Sequence, residues 1–351
     1  MKVCAIIVAY RQEVHYLHRL LERLRQLAVD HVVLVDNNQE RPLPLDVASL
    51  PHPSVTYKKS LINTGSSGGF KAGILCARAT DTDFVWLLDE DNYPQDGALE
   101  ALTSAWKQKQ ALPGATPLML MSFRPQLFRF LNPYLEGKQL QITPCKNSFL
   151  GFHYQRLPRI IINRIRRVNG ALSGLVRKGE PIAINAGYYG GLFFHQSAIS
   201  DVLLPDEKMF LYWDDIAFTQ QFIATGGEVW MVPASRISDM DYEEIRLKKR
   251  QFLHHPVLDL DPDTKAYYYI RNLTWYSHYH LKKNKWPYTA NQCIMLCILL
   301  LMSLLRARPG RMRLLLRGWR DAAYLHVPEK VTPPAVPATV VTVPPALGQS
   351  A

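Results

Sequence analysis

Phe84-Val-Trp-Leu-Leu-Asp-Glu-Asp-Asn92 is a run of five apolar residues that ends in three acids. A stretch with no polar alternation suits a strand buried on both faces. Such strands belong to sheets covered by helices, and in open α/β sheets ligands collect at the carboxyl ends of the strands. Asp89, Glu90 and Asp91 therefore stand where a ligand would be met. Two carboxylates with one residue between them can face one cation, and a Mg²⁺ or Mn²⁺ held this way keeps positions open for phosphate oxygens. On its own, the triplet is better explained as a solvated acidic turn.

The residues on either side extend the pattern. Val3-Cys-Ala-Ile-Ile-Val-Ala9 is a second apolar run, and His31-Val-Val-Leu-Val-Asp36 is a third that also closes on an acid. Leucines at 17, 20, 21, 24 and 27 have helical spacing. A short strand is expected near Val55-Thr-Tyr57, and helices over about 65–79 and 96–109. Strands alternating with helices give a parallel α/β sheet with right-handed crossovers.

Two more segments carry chemistry. Asn63-x-Gly65-x-x-Gly68-Gly69 precedes a helix, where glycines let the backbone approach a ligand and the helix start favours anions. No Gly-Lys-Ser/Thr follows, so it is not a nucleoside-triphosphate loop, and it does not follow the first strand as a dinucleotide fingerprint does. Phe210-Leu-Tyr-Trp-Asp214-Asp215 places two acids at the start of a helix expected over 216–224. An acid there can serve as a general base, or simply cap the helix.

The chain has 351 residues and is 48% hydrophobic, enough for one large domain with or without an appendage. Forty-one lysines and arginines against 30 acids give a formal charge of +11, which suits phosphorylated ligands, a membrane surface or nucleic acid. The basic residues cluster in 150–180 and 306–320. The second cluster adjoins the uncharged stretch Trp286 to Leu305, whose apolar core, Cys293 to Leu305, is 13 residues long. A span needs about 20. The arrangement reads as an interfacial helix on an anionic membrane, not as a nucleic-acid reader. Five cysteines without a framework read as reduced, mostly buried thiols of a cytosolic protein. The chain enters its first strand at once, with no signal peptide expected, and 331–351 reads as a disordered Pro/Val/Ala/Thr tail.

Taken together, these motifs resemble the inverting family-2 glycosyltransferases of the GT-A fold, and within them the bacterial rhamnosyl- and galactofuranosyltransferase-like group. The resemblance runs over about residues 1–280 through Ile6-Ile-Val-Ala-Tyr10, Val35-Asp36-Asn37, the 63–70 loop, Trp86 to Asn92, Tyr189-Gly-Gly-Leu-Phe-Phe194, the Trp-Asp-Asp set and Tyr267-Tyr-Tyr-Ile-Arg-Asn272. It implies a Rossmann-like mixed sheet with flanking helices, followed by a C-terminal helical membrane-associating segment. It also implies a UDP- or dTDP-sugar donor, bound by Tyr10, Asp36, Asn63, Gly68, Gly69, Asp89 and Glu90. Asp89 and Asp91 would hold Mn²⁺ or Mg²⁺. Asp215 would deprotonate the acceptor hydroxyl and Asp214 would position it, with Tyr212, Trp213, Gly190 and Gly191 lining the acceptor side. The sequence departs from the family's pattern at Ala217 and Gln221, where relatives carry an acid and an arginine. It departs again at Asp239, where many carry a metal-binding histidine; Asp239 is expected as the third ligand.

The expected organisation is a catalytic domain over 1–265, made of a donor half (1–110), a basic, loop-rich insert (111–180) and an acceptor half (181–265). A C-terminal helical region (266–330) would place the enzyme peripherally on the cytoplasmic face of the cell membrane. There it would act on a glycan or lipid-linked acceptor in cell-surface polysaccharide synthesis. The principal rival is a non-catalytic nucleotide-sugar or glycan-binding protein of the same fold. A nucleotidyltransferase of similar fold is disfavoured, because Ala9-Tyr-Arg-Gln-Glu13 lacks the glycines of its loop.

Overall fold

The computed structural model describes residues 1–10, 14–37, 50–52, 54–111, 116–128, 133–156, 174, 176–240, 255–306 and 308–325. The apolar runs become strands β1 (Val3–Ala9), β2 (His31–Asp36), β3 (Val55–Lys59) and β4 (Phe84–Asp89). Between them lie helices α1 (Val14–Gln26) and α2 (Gly65–Ala77). The four strands pair in parallel in the order β3-β2-β1-β4, as the alternation requires. Short β5 (Asn92–Pro94) and helix α3 (Ala98–Gln110) complete the donor half.

The sheet does not stop at β4. Strand β6 (Leu118–Phe123), all six residues buried, lies inside the segment expected to be a loop-rich insert. The expectation fails there because Leu-Met-Leu-Met-Ser-Phe is flanked by prolines, which mask an apolar run otherwise like that of β1. The same segment also holds a small hairpin, β7 (Tyr134–Glu136) with β8 (Gln139–Gln141). The arginines expected to make the insert basic at 159, 164, 166 and 167 lie outside the described residues.

Short β9 (Ile182–Ala183) pairs the later strand β11 (Glu228–Asp239), and β10 (Leu192–His195) runs antiparallel between β4 and β6, making the sheet mixed. The last strand, β11, is bent. It pairs in parallel with β6 up to Val232, shifts register before Arg236, and then pairs antiparallel with β5. Pro233 sits in the shift, where a residue without an N–H is tolerated. The bend brings Asp239 opposite Asn92, beside the acids that end β4.

Helix α4 (Asp214–Ala224) precedes β11, and three helices follow it: α5 (Asp263–Tyr276), α6 (Lys285–Leu305) and α7 (Gly310–Asp321). Although α5 falls in the expected appendage, it packs on the loop that leads to Asp214. Helix α6 is 21 residues long, so the expectation that it is too short to span is corrected. It is the one helix among the described residues long and apolar enough to cross a membrane. One side of it, Tyr288, Asn291, Met295, Leu299 and Ser303, is buried against the domain. Asn291 donates to the carbonyl of Asn147 at 2.9 Å and accepts from the Tyr154 amide at 2.8 Å. Its other side exposes Trp286, Ile294, Leu301, Leu304 and Leu305. The cysteines are less buried than expected: only Cys4 is, and Cys293 and Cys297 are exposed on α6.

Candidate active site

The ends of β1, β4, β6 and β11 and the starts of α2 and α4 build the site. At the end of β4, Asp89 leaves the sheet with its side chain 41% exposed, while Glu90 and Asp91 are nearly covered. Glu90 accepts from the Tyr10 amide at 3.1 Å, so it ties the end of β1 to the end of β4. Tyr10 itself remains half exposed.

Arg124, immediately after β6, reaches into this cluster. It donates to Asp89 at 3.2 Å and twice to Asp239, at 2.9 and 2.5 Å. Burial by itself would lower its pKa, but the carboxylates of Asp239, Asp89 and Asp91 outweigh burial and hold it above its ordinary value. No role for Arg124 was visible in the sequence, because its strand was not. Gly190, expected on the acceptor side, lies over this cluster instead: a Cβ there would come within 2.2 Å of Arg124 and 2.5 Å of Asp89. Gly191, at φ 100, packs on Ser122 and Ile237.

The donor set can be weighed against a divalent metal. Asp89 and Asp91 supply hard oxygens of the right type. Asp239, expected to complete the set, is turned to Arg124. Among the described residues, no three of His, Cys, Asp and Glu gather to hold a cation. The residues fit a site of two carboxylates completed by phosphate oxygens, as Mg²⁺ commonly takes, and not a ready-made cage.

The glycine loop lies across the cleft. Asn63 accepts from the Gly65 amide at 2.9 Å, and Asn37 spans the loop by donating to Gly65 O and accepting from Thr64. Gly65, at φ 69, touches Phe210: a Cβ would fall 1.9 Å from its carbonyl oxygen. Gly68 and Gly69 are buried, and a Cβ on Gly69 would strike Val8 at 2.6 Å, so its bareness serves the packing of α2 on β1. Asp36, expected to face the nucleotide, is buried and accepts from the Tyr57 hydroxyl at 2.7 Å.

Ser66, in the first turn of α2, donates to Asp214 at 2.7 Å, linking the glycine loop to the acid pair. Asp214 is buried and Asp215 partly so, side by side at the start of α4. Burial pushes the Asp214 carboxyl up to about 7 against the pull of Ser66. Burial, then the neighbouring Asp214 charge, raises Asp215 well above the carboxylate range. Asp89 acts on both in the same direction. Approaching them, the chain is strained: Phe210, Tyr212 and Trp213 have φ of 63, 62 and 66. Non-glycine residues held this way cost about 1–3 kcal/mol each. Tyr212 and Trp213 meet Tyr269 and Tyr276 of α5, with ring centroids 5.9 and 5.0 Å apart.

Comparison with known proteins gives this geometry a class. Residues 4–117 match the glycosyl transferase family 2 model. With the mixed sheet described above, it is a glycosyltransferase of the GT-A fold. It is 25% identical over 275 residues to the galactofuranosyltransferase GlfT1 of Mycolicibacterium smegmatis, covering 77% of this chain and 81% of that protein. To the GlfT1 of Mycobacterium tuberculosis it is 27% identical over 199 residues, 56% of each chain. Among solved structures, GalNAc-T7 with UDP, GalNAc and Mn²⁺ superposes with a TM-score of 0.46 at 13% identity, over 68% of this chain and 44% of that one. Staphylococcus aureus TarS 1–349 superposes with a TM-score of 0.42 at 13% identity, over 92% and 90%.

The buried pair has a consequence for stability. Its folded pKa values lie above the ordinary carboxylate value, so the folded chain keeps protons that the unfolded chain releases. That contribution favours folding in acid and is lost as the pH rises through about 7. Asp214→Asn removes one of the two like charges. Its melting temperature relative to wild type should therefore climb between pH 5 and pH 8. Scanning fluorimetry across that range checks this, and a difference that stays flat with pH would contradict the buried like-charge pair.

Proposed function

We propose that this enzyme transfers a sugar from a UDP- or dTDP-linked donor, such as galactofuranose or rhamnose, to a hydroxyl of a glycan or lipid-linked acceptor, with inversion. The observation that carries the reading is the Ser66–Asp214 contact, which sets a buried carboxylate pair directly against the glycine loop and across from Asp89. The GlfT1 relatives, galactofuranosyltransferases by name, support furanose chemistry.

In this reading, the first turn of α2 and Arg124 face the donor diphosphate, since a helix start and a guanidinium both favour phosphate oxygens. When bound by Asp89 and Asp91, Mn²⁺ or Mg²⁺ supplies positive charge against the departing diphosphate. Asp215 takes the proton of the acceptor hydroxyl as that oxygen bonds to the anomeric carbon, and the bond from that carbon to the diphosphate oxygen breaks. Its raised pKa makes Asp215 a stronger base near neutral pH. Tyr212 and Trp213 offer aromatic faces to the acceptor sugar, and Asp214 orients it.

Turnover of UDP- and dTDP-sugars tests this directly. Asp215→Asn should lower turnover ~10²-fold or more with donor binding kept. If Asp214→Asn is crippled and Asp215→Asn is not, the pair is assigned the wrong way round. Full activity in EDTA would sink the metal.

The enzyme works peripherally at the cytoplasmic face of an anionic membrane. One face of α6 is committed to the domain through Asn291 and its neighbours, which suits a helix lying on the bilayer better than one crossing it. The arginines divide. Arg306 pairs with Asp259 at 2.6 Å, Arg311 pairs with Asp261 and Asp263, and Arg308 donates to Leu258 O. Arg313, Arg317 and Arg320 are exposed on α7 beside Leu316 and Trp319, with Arg317 and Arg320 sharing the single carboxylate of Asp321, and an arginine near an anionic surface adds about 1 kcal/mol. The protein should float with vesicles containing anionic lipid, and the triple change of Arg313, Arg317 and Arg320 to Glu should release it, as should high salt. Retention that only detergent breaks would mean a span, and no flotation would mean a core helix.

A further inference from the structure

We propose that Asn272, oriented by Arg271, is a positioning residue for the reaction: its carboxamide holds the turn 209–213 in the one conformation that presents Asp215. The inference rests on the transferase reading above and deepens it. Tyr267-Tyr-Tyr-Ile-Arg-Asn272 stands out in the sequence with no role attached, and the structure supplies one.

The turn is of an uncommon kind. Phe210 has φ 63 and ψ −64, and the Leu211 amide donates to Met209 O at 2.8 Å. That is the strained form of the γ-turn. Tyr212 and Trp213 follow, both at positive φ. Such backbone persists only where its surroundings over-determine it. Here those surroundings come from one face of α5. Asn272 Nδ2 lies 2.7 Å from Met209 O, 2.9 Å from Leu211 O and 2.8 Å from Tyr212 O. Arg271 Nη2 donates to the carbonyls of Lys208 and Met209, at 2.5 and 3.0 Å. Arg271 Nε donates to Asn272 Oδ1 at 2.9 Å, which fixes the carboxamide with its nitrogen toward the three carbonyls. Tyr268 stacks on Phe210 with centroids 4.3 Å apart.

Asn272 is fully buried, so carbonyls it abandoned would have no water in its place. An aspartate of the same shape would set an oxygen against three oxygens. The chain of support is short: α5 holds the turn, the turn sets Trp213 as the residue capping α4, and α4 opens with Asp214 and Asp215. Asn272 touches no reacting atom and acts only through Asp215.

The test compares Asn272→Ala and Arg271→Ala with wild type in kcat, donor KM and the ¹³C titration of the Asp214–Asp215 carboxyls. A base displaced by about 1 Å loses on the order of 10²-fold. That loss in kcat is expected for Asn272→Ala, and a smaller one for Arg271→Ala, with donor KM nearly unchanged. The pair should also titrate at lower pH, because a loosened turn admits water. The ionisable groups facing the pair, Tyr188, Tyr189 and Asp89, are left in place by both changes. Should Asn272→Ala not fold, the partly exposed Arg271 carries the test. Folded variants with wild-type kcat and wild-type titration would overturn the proposal. If wild type turns over no nucleotide-sugar, the transferase reading fails instead, while a shifted titration in the variants still supports the clamp.

Discussion

Two adjacent carboxylates held out of water, Asp214 and Asp215, are the constraint around which the rest of this site is arranged. Nothing in the local sequence favours that placement: like charges repel, burial raises the cost, and the chain reaches the pair through residues at unfavourable φ. The compensation comes from far away in sequence. Ser66 supplies a hydroxyl from α2. Gly65 supplies room, since any side chain there would occupy the space of the Phe210 carbonyl. Helix α5 supplies the hydrogen bonds that fix the turn. The glycine loop and the acid pair are thus one packed unit, and neither can shift without the other.

Opposite this pair, the electrostatics are reversed. Arg124 is a buried cation that pairs with Asp89 and Asp239 and feels the charge of Asp91. The guanidinium balances the carboxylates of the protein alone and occupies the flank where a third metal ligand was expected. The bend of β11 makes this possible by turning the strand at Pro233 so that Asp239 arrives beside β5. Gly190 then has to be bare, because its Cα lies against the same cluster.

Much of this was legible in the sequence, and the division is physical. Strands buried on both faces announce themselves by unbroken apolar runs, so β1, β2 and β4 and the acids at their ends were readable, as was the helix opened by Asp214. The reversed direction of β10 was not, because a strand's pattern does not encode its orientation. Strand β6 was hidden by flanking prolines, and Arg124 with it. Family resemblance supplied the GT-A fold and the mixed sheet. It supplied roles for single residues too, but not the contacts of Ser66 or Asn272, which depend on segments 148 and about 60 positions apart. The length of α6 was underestimated because Pro287, Asn291 and Gln292 dilute its first turns, although Asn291 is there to fasten the helix to the domain.

In the proposed reaction one base acts on the acceptor, with no protein nucleophile interposed between donor and product. The anomeric configuration of the product tests it most directly. Proton NMR of a transfer reaction, read from the coupling at the newly linked anomeric centre, should show the configuration opposite to that in the donor. The donor's own configuration in the product would contradict it.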